Sequence, residues 1–204
     1  MGRLIVTEFM TLDGVAQAPG RPQEDTEDAF PHGGWQAPLI SAESGAAIFE
    51  QAKGLDALLL GRRTYDIFAA YWPTASPDIS FTPLLNGVPK YVASTTLSEP
   101  LTWEGTSLLS GDLATAVTEL KQRHDAVHVI GSLNLLQSLL RLGLVDRLNL
   151  WQYPVLLGQG KRVFGEGTVP AAMQLSESVI HPDGTVQLSY DALGVAPEYG
   201  DMAA

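Results

Sequence analysis

Short runs of apolar and β-branched residues alternate along this chain with stretches whose apolar positions recur at helical spacing. Arg3–Met10 (RLIVTEFM) reads as a strand, ended by the turn Thr11-Leu12-Asp13-Gly14. Asp56–Leu60, Lys90–Ala93, Val127–Ile130 and Arg147–Tyr153 read as further short strands, and Met173–Ile180 pairs with Thr185–Leu193 as a hairpin. Ser41 predicts the N-cap of a helix over about 42–53, stopped by Gly54. Ser110 or Asp112 caps a second helix reaching about Arg123. A third, Leu133–Leu142, carries Leu135, Leu136, Leu139 and Leu140 as a core stripe. The run 72–88 contains three prolines and reads as loop. This order predicts an α/β fold, with a mostly parallel sheet, helices on both faces and a C-terminal antiparallel hairpin.

The segment 14–40 is rich in Gly, Pro and acidic residues, and reads as a mobile flap over a site or as a disordered insertion. At about 150 residues per domain, the 204 residues predict a single domain over 1–193 with a frayed tail, 194–204. The 45% hydrophobic content excludes a mainly disordered chain. A net charge of −11 argues against a nucleic-acid partner, since phosphate contacts need a basic surface. The absence of cysteine removes disulfides, thiolate zinc sites and a thiol nucleophile, and the four scattered histidines suggest no metal site. No signal peptide or spanning segment is legible, so a cytoplasmic protein off the membrane is expected.

Three turns fall in one structural place. Gly61-Arg62-Arg63-Thr64, Ser94-Thr95-Thr96 and Gly131-Ser132 each follow a strand, where open α/β sheets bind ligands. Two of them open helices, whose free N–H groups attract phosphate. Arg62 and Arg63 add planar forks suited to the same charge. A phosphate-bearing cofactor across three strand ends fits this pattern, although G-x-G-x-x-G and G-x-x-x-x-G-K-[ST] are both absent.

These residues carry a resemblance. Leu59–Tyr65 (LLGRRTY) resembles the Gly-Arg-x-Thr-(Trp/Tyr) segment of dihydrofolate reductases. Lys90–Thr95 is similar to their adenosine-phosphate strand, and Val129-Ile130-Gly131-Ser132 to their Ile-Gly-Gly turn. Thr11–Gly14 and Leu139–Phe164 look more like the C-terminal reductase domain of riboflavin-biosynthesis deaminase–reductases. The resemblance covers roughly 3–192 and implies a dihydrofolate reductase-like three-layer fold. It implies NADPH as cofactor, hydride transfer to a pyrimidine- or pterin-like heterocycle, and a homodimer. The nearest named activity is reduction of 5-amino-6-(5-phosphoribosylamino)uracil. Dihydrofolate or pterin reduction, or a non-catalytic nucleotide- or partner-binding module, are the alternatives.

By the same resemblance Gly61, Arg62, Arg63 and Thr64 hold cofactor phosphates, Ser94 and Thr95 lie near the adenosine 2′-phosphate, and Gly131 and Ser132 lie against the pyrophosphate or nicotinamide. Lys90, Lys161 and Arg162 fall in segments assigned to the cofactor side. Asp13 and Glu43 are the candidate catalytic acids. His32 and Trp35 are loop candidates for substrate contact, and Gly158 with Gly160 could admit a ligand. His124 and His128 read as surface or edge residues, and Glu24–Asp28 as a solvated acidic run. The departures are Gly45 where dihydrofolate reductases carry a helix carboxylate, Gly-Ser for Gly-Gly, and paired arginines unlike the riboflavin-type pattern. The deaminase ligands His-x-Glu and Cys-x-x-Cys are missing from the sequence.

Overall fold

A strand with apolar side chains on both faces belongs inside a sheet covered on both sides, and β1 (Arg3–Thr11) has that pattern. In the computed structural model, which describes residues 1–166 and 168–202, β1 lies within an eight-stranded sheet. Its Leu4, Val6 and Met10 pack with Val117 and Leu120 of α4 (Leu113–Arg123) and Leu135, Leu136 and Leu139 of α5 (Leu133–Arg141). Phe9 packs on the cluster of Trp151, Tyr153 and Ile48, the last from α1 (Ala42–Ala52).

The remaining strands are β2 (Ala57–Gly61), β3 (Lys90–Ala93), β4 (Thr106–Leu108), β5 (Ala126–Ile130), β6 (Arg147–Tyr153), β7 (Met173–Ile180) and β8 (Val186–Ala192). The order is β4-β3-β2-β5-β1-β6-β8-β7. Pairings from β4 to β6 are parallel; β8 runs antiparallel to β6 and to β7. The α/β sheet with its C-terminal antiparallel edge is the fold the sequence predicts.

Two elements were not legible. Within 72–88 the structure forms a 3-10 turn at Trp72–Thr74 and a helix, α3 (Phe81–Gly87). Pro83 stands in the first turn of α3, where a missing N–H costs nothing, and Leu85 buries against Leu58, Leu60 and Val92. Strand β4 is three residues long, too short for periodicity to reveal.

The segment 14–40 is a packed strap, not a disordered insertion. Val15, Ala18, Phe30 and Trp35 join the cluster of Trp151 and Tyr153, and the Trp35 indole N–H donates to the Gln17 carbonyl at 2.9 Å. His128, expected at the surface, is buried in β5, and burial pushes its pKa down to about 4. His124 is half-buried and shares a 2.9 Å hydrogen bond with the Tyr91 hydroxyl. At the C-terminal end, the Leu193 N–H donates to Ala172 and the Ala172 N–H to Val195, so pairing continues past β8 into the expected tail.

Candidate functional site

The carboxyl ends of β3, β2, β5 and β1 open into one cavity of about 700 Å³. Gly61 ends β2 and is the N-cap of α2 (Arg62–Ala69), so it brings no capping side chain. Gly131 and Ser132 join β5 to α5 with φ of +64° and +65°, the left-handed region that a serine enters only under constraint. The constraint is visible: the Gly131 N–H donates to the Thr7 carbonyl at 3.1 Å, and Ser132 Oγ accepts the Gly61 N–H at 3.0 Å. That second bond ties the two turns together and uses the oxygen that would otherwise cap α5. The first turns of α2 and α5 therefore lack a side-chain cap and line the cavity, where free N–H groups attract anions. By contrast α4 is capped, Asp112 accepting from Thr115 N–H at 3.0 Å. A Cβ placed on Gly131 would come no nearer than 3.9 Å to its neighbour Thr64, so the turn leaves room for a ligand. The cis peptide among the described residues is Glu99–Pro100, and Gly131–Ser132 is trans.

At one end of the cavity Ser94 Oγ accepts the Thr96 and Leu97 N–H groups at 3.2 and 3.1 Å. The Arg62 guanidinium donates to Thr96 Oγ1 at 2.6 Å and lies 3.5 Å from Asp66. Gly61, Arg62, Arg63, Thr64, Ser94, Thr95, Gly131 and Ser132 all line this cavity. The structure brings the eight expected cofactor residues together.

Arg63 differs in state from Arg62. Its Nη2 donates to Glu27 at 2.6 Å, and Lys161 Nζ lies 2.5 Å from both Asp25 and Glu27. The Arg63 and Lys161 bonds hold the Glu27 carboxyl down to about 2. The acidic run is thus not a simple solvated face; two of its carboxylates neutralise the basic rim. Gln17 adds to the tie, its amide donating to the Asp25 and Glu27 carbonyls and accepting from Lys161 N–H. Two expected basic residues are elsewhere. Lys90 is fully buried, donating to the carbonyls of Leu85, Asn86 and Val88 beneath the Trp103 ring. Arg162 is exposed and 3.9 Å from Asp13.

The other end is lined by Glu8, Phe9, Ala16, Gln17 and Gln36. Glu8 is 2% exposed, its Oε1 has no hydrogen-bond partner among the described residues, and burial pushes its pKa up to about 8. Sequence reading passed over it. The signal was present, since a period of two puts Glu8 on the face of Leu4, Val6 and Met10, a lone carboxylate in a core stripe. Gln36 donates to the Tyr153 hydroxyl at 2.7 Å.

Other candidates do not reach the cavity. Asp13 accepts from the Thr11 hydroxyl at 2.5 Å and from Gly158 N–H at 2.8 Å, bonds that hold its pKa below the ordinary value. It pins a turn and stays ionised, so it is no proton donor. Glu43 stands exposed in the first turn of α1. His32 is exposed, edge-on to Phe30, and Trp35 is spent on packing. Gly158 does not line the cavity, and a Cβ at Gly160 would lie 2.6 Å from Phe30, so that glycine serves close packing.

Among the described residues no helix is long and apolar enough to cross a membrane. Residues 3–186 match the model of the RibD C-terminal domain. The chain is 27% identical over 140 residues to the Bacillus subtilis (strain 168) protein YyaP, described as uncharacterized, covering 67% of this chain and 73% of that one. A putative riboflavin biosynthesis protein from Shewanella sp. PV-4 superposes with a TM-score of 0.66 at 22% identity, covering 93% and 98% of the two chains. A pyrimidine reductase-like protein from Corynebacterium diphtheriae gives 0.65 at 14%, covering 94% and 92%. A Thermotoga maritima diaminohydroxyphosphoribosylaminopyrimidine deaminase/5-amino-6-(5-phosphoribosylamino)uracil reductase gives 0.60 at 14%, covering 94% of this chain and 56% of that one.

Proposed function

Because the chain belongs to the RibD C-terminal domain family, we propose that it is an NADPH-dependent reductase acting on a pyrimidine- or pterin-like heterocycle, with 5-amino-6-(5-phosphoribosylamino)uracil as the leading substrate. The observation that carries this reading is one cavity joining two helix N-termini without side-chain caps to an end lined by the buried polar side chains Glu8, Gln17 and Gln36. Its volume suits a ligand of cofactor and substrate size. The relatives' descriptions as riboflavin-biosynthesis and pyrimidine reductase-like proteins support the substrate class.

The residues present fit the dinucleotide. Gly131, Ser132 and the first turn of α5 would hold the pyrophosphate, with Thr64 and the first turn of α2 beside them. Arg62 with Ser94, Thr95 and Thr96 would take the 2′-phosphate. When bound, the nicotinamide supplies the hydride. The chain supplies orientation, and the strap from Gln17 to Gln36 keeps water from the far end. A homodimer in the cytoplasm belongs to the same proposal.

NADPH binding followed by calorimetry, then its oxidation with 5-amino-6-(5-phosphoribosylamino)uracil or dihydrofolate, tests the reading. Saturable binding with oxidation by the uracil is expected. Binding without oxidation across both substrates would favour a nucleotide-binding module, and no binding would sink the reductase reading. Dihydrofolate reduction is the weaker alternative, because Glu43 is exposed outside the cavity.

A further inference from the structure

Glu8 is a carboxyl group that no described residue neutralises. It is buried on β1 in register with Leu150 of β6, beside the point where Gly131 N–H meets the Thr7 carbonyl. Its Oε1 is sealed from solvent without a partner among the described residues, yet the residue lines the cavity. An ionised carboxylate there would lack compensation for its lost hydration. Buried polar atoms left unpaired in a ligand cavity call for an explanation, and a ligand that completes the bond is a direct one.

The charged groups around the cavity leave Glu8 neutral. Arg63 and Lys161 are paired with Asp25 and Glu27. Arg62 is engaged at the opposite end by Thr96, and Glu24 accepts backbone N–H groups of Gly20 and Arg21. From β6 comes Leu150, and α5 lines the cavity with uncharged side chains, Leu135 and Ser138 among them. Desolvation alone therefore sets the carboxyl, which stays protonated through neutral pH.

We propose that Glu8 is the catalytic acid of this site, hydrogen-bonding the heteroatom of the substrate's reducible C=N or C=O bond and protonating it as hydride adds to the carbon. The assignment rests on the reductase reading. The hydride and its two electrons come from a reduced nicotinamide nucleotide. The Glu8 O–H bond breaks, a new N–H or O–H bond forms on the substrate, and the carboxylate recovers its proton from water through the cavity mouth. An acid whose pKa lies close to the working pH is suited to this transfer. The position is distinct from the first-helix carboxylate that the dihydrofolate reductase resemblance implies, which this chain replaces with Gly45.

The test reads the carboxyl before it reads turnover. In wild-type protein with carbon-13 at the glutamate carboxyls, one resonance should titrate near pH 8, far above the Glu27 resonance, which its basic partners hold down to about 2. The high resonance should be missing in Glu8→Gln and should shift when the uracil substrate is added to the NADPH-loaded protein. In turnover, wild-type kcat should fall above about pH 8, while Glu8→Gln should lose about a hundredfold or more in kcat and lack that limb. NADPH affinity should be unchanged. If no glutamate titrates near pH 8, or Glu8→Gln keeps the wild-type rate and limb, the assignment is wrong although the reductase reading stands. If wild-type protein binds no NADPH, both fall together. Should Glu8→Gln not fold, the wild-type titration and its response to substrate still decide.

Discussion

The Arg63 guanidinium, in the first turn of α2, donates to Glu27 Oε1 at 2.6 Å, closing the strap onto this cavity-lining helix across 36 residues. A basic residue expected to meet phosphate is thus already met by a carboxylate of the same chain. Glu27→Gln should loosen the strap, seen as severalfold faster amide exchange over 20–34. The carboxyl is depressed from 4.5 to about 2, so the tie is complete above 4.5 and lost as pH falls toward 2. Wild-type exchange, corrected for its intrinsic pH dependence, should approach that of the variant across this window.

Arg62 is the arginine left available for a 2′-phosphate, its nearest partner being the neutral Thr96 hydroxyl. Arg62→Ala should weaken NADPH by about ten- to a hundredfold, the worth of a charge-assisted hydrogen bond. NADH should change little. Equal losses for the two nucleotides, measured by calorimetry, would contradict the assignment.

Two glycines should respond oppositely. A Cβ on Gly131 would make only ordinary contact with Thr64, at 3.9 Å, at φ of +64°, so Gly131→Ala should cost only about 1–2 kcal/mol of backbone strain. It should nevertheless weaken NADPH sharply by narrowing the cradle. Gly160→Ala drives a Cβ to 2.6 Å from Phe30 and 2.8 Å from Val15, and should destabilise by about 1–3 kcal/mol through overpacking. Thermal melts and nucleotide titrations on both variants separate the effects.

Two buried groups set the pH dependence of stability in opposite directions. Glu8 is raised from 4.5 to about 8, so stability falls as pH rises from 4.5 to 8, where only the unfolded chain is ionised. His128 is lowered from 6.5 to about 4, so stability falls as pH drops from 6.5 to 4, where only the unfolded chain is protonated. Glu8→Leu should flatten the alkaline slope and raise the melting temperature at pH 8; His128→Leu should flatten the acid slope. Denaturant midpoints across pH 4–9 check both.

Strand β7 lies at the edge of the sheet with Leu175, Val179 and Ile180 exposed. Long apolar edges invite pairing with another chain, and the proposed homodimer would cover this one. Light scattering should give twice the chain mass for wild type and the monomer mass for Leu175→Lys with Val179→Lys. A monomeric wild type would remove the dimer from the proposal.

Local chemistry was enough to read most elements and the three turns at the strand ends. Period-two apolar runs, Ser41 and Asp112 as caps, and glycines at Gly61 and Gly131 are short-range signals. Each acts within a few residues of where it stands. Helix α3 and strand β4 escaped because tertiary burial of Leu85 and pairing with β3 stabilise elements whose own sequences are weak.

The sequence by itself determined the sheet, its edge and the turns that line the cavity, because those follow from pattern and topology. Only the tertiary structure decided the state of each charge. Arg63 and Arg62 are adjacent and chemically identical, yet one is bound to Glu27 across the strap while the other bonds the Thr96 hydroxyl with Asp66 3.5 Å away. Lys90 and Lys161 look alike in sequence, yet one is sealed beneath Trp103 and the other rims the cavity. Asp13, an obvious candidate, is ionised and pinned; Glu8, an unremarked residue of a core strand, is the neutral acid. Charge state depends on hydration and on partners brought from distant parts of the chain, and neither is a property of local sequence.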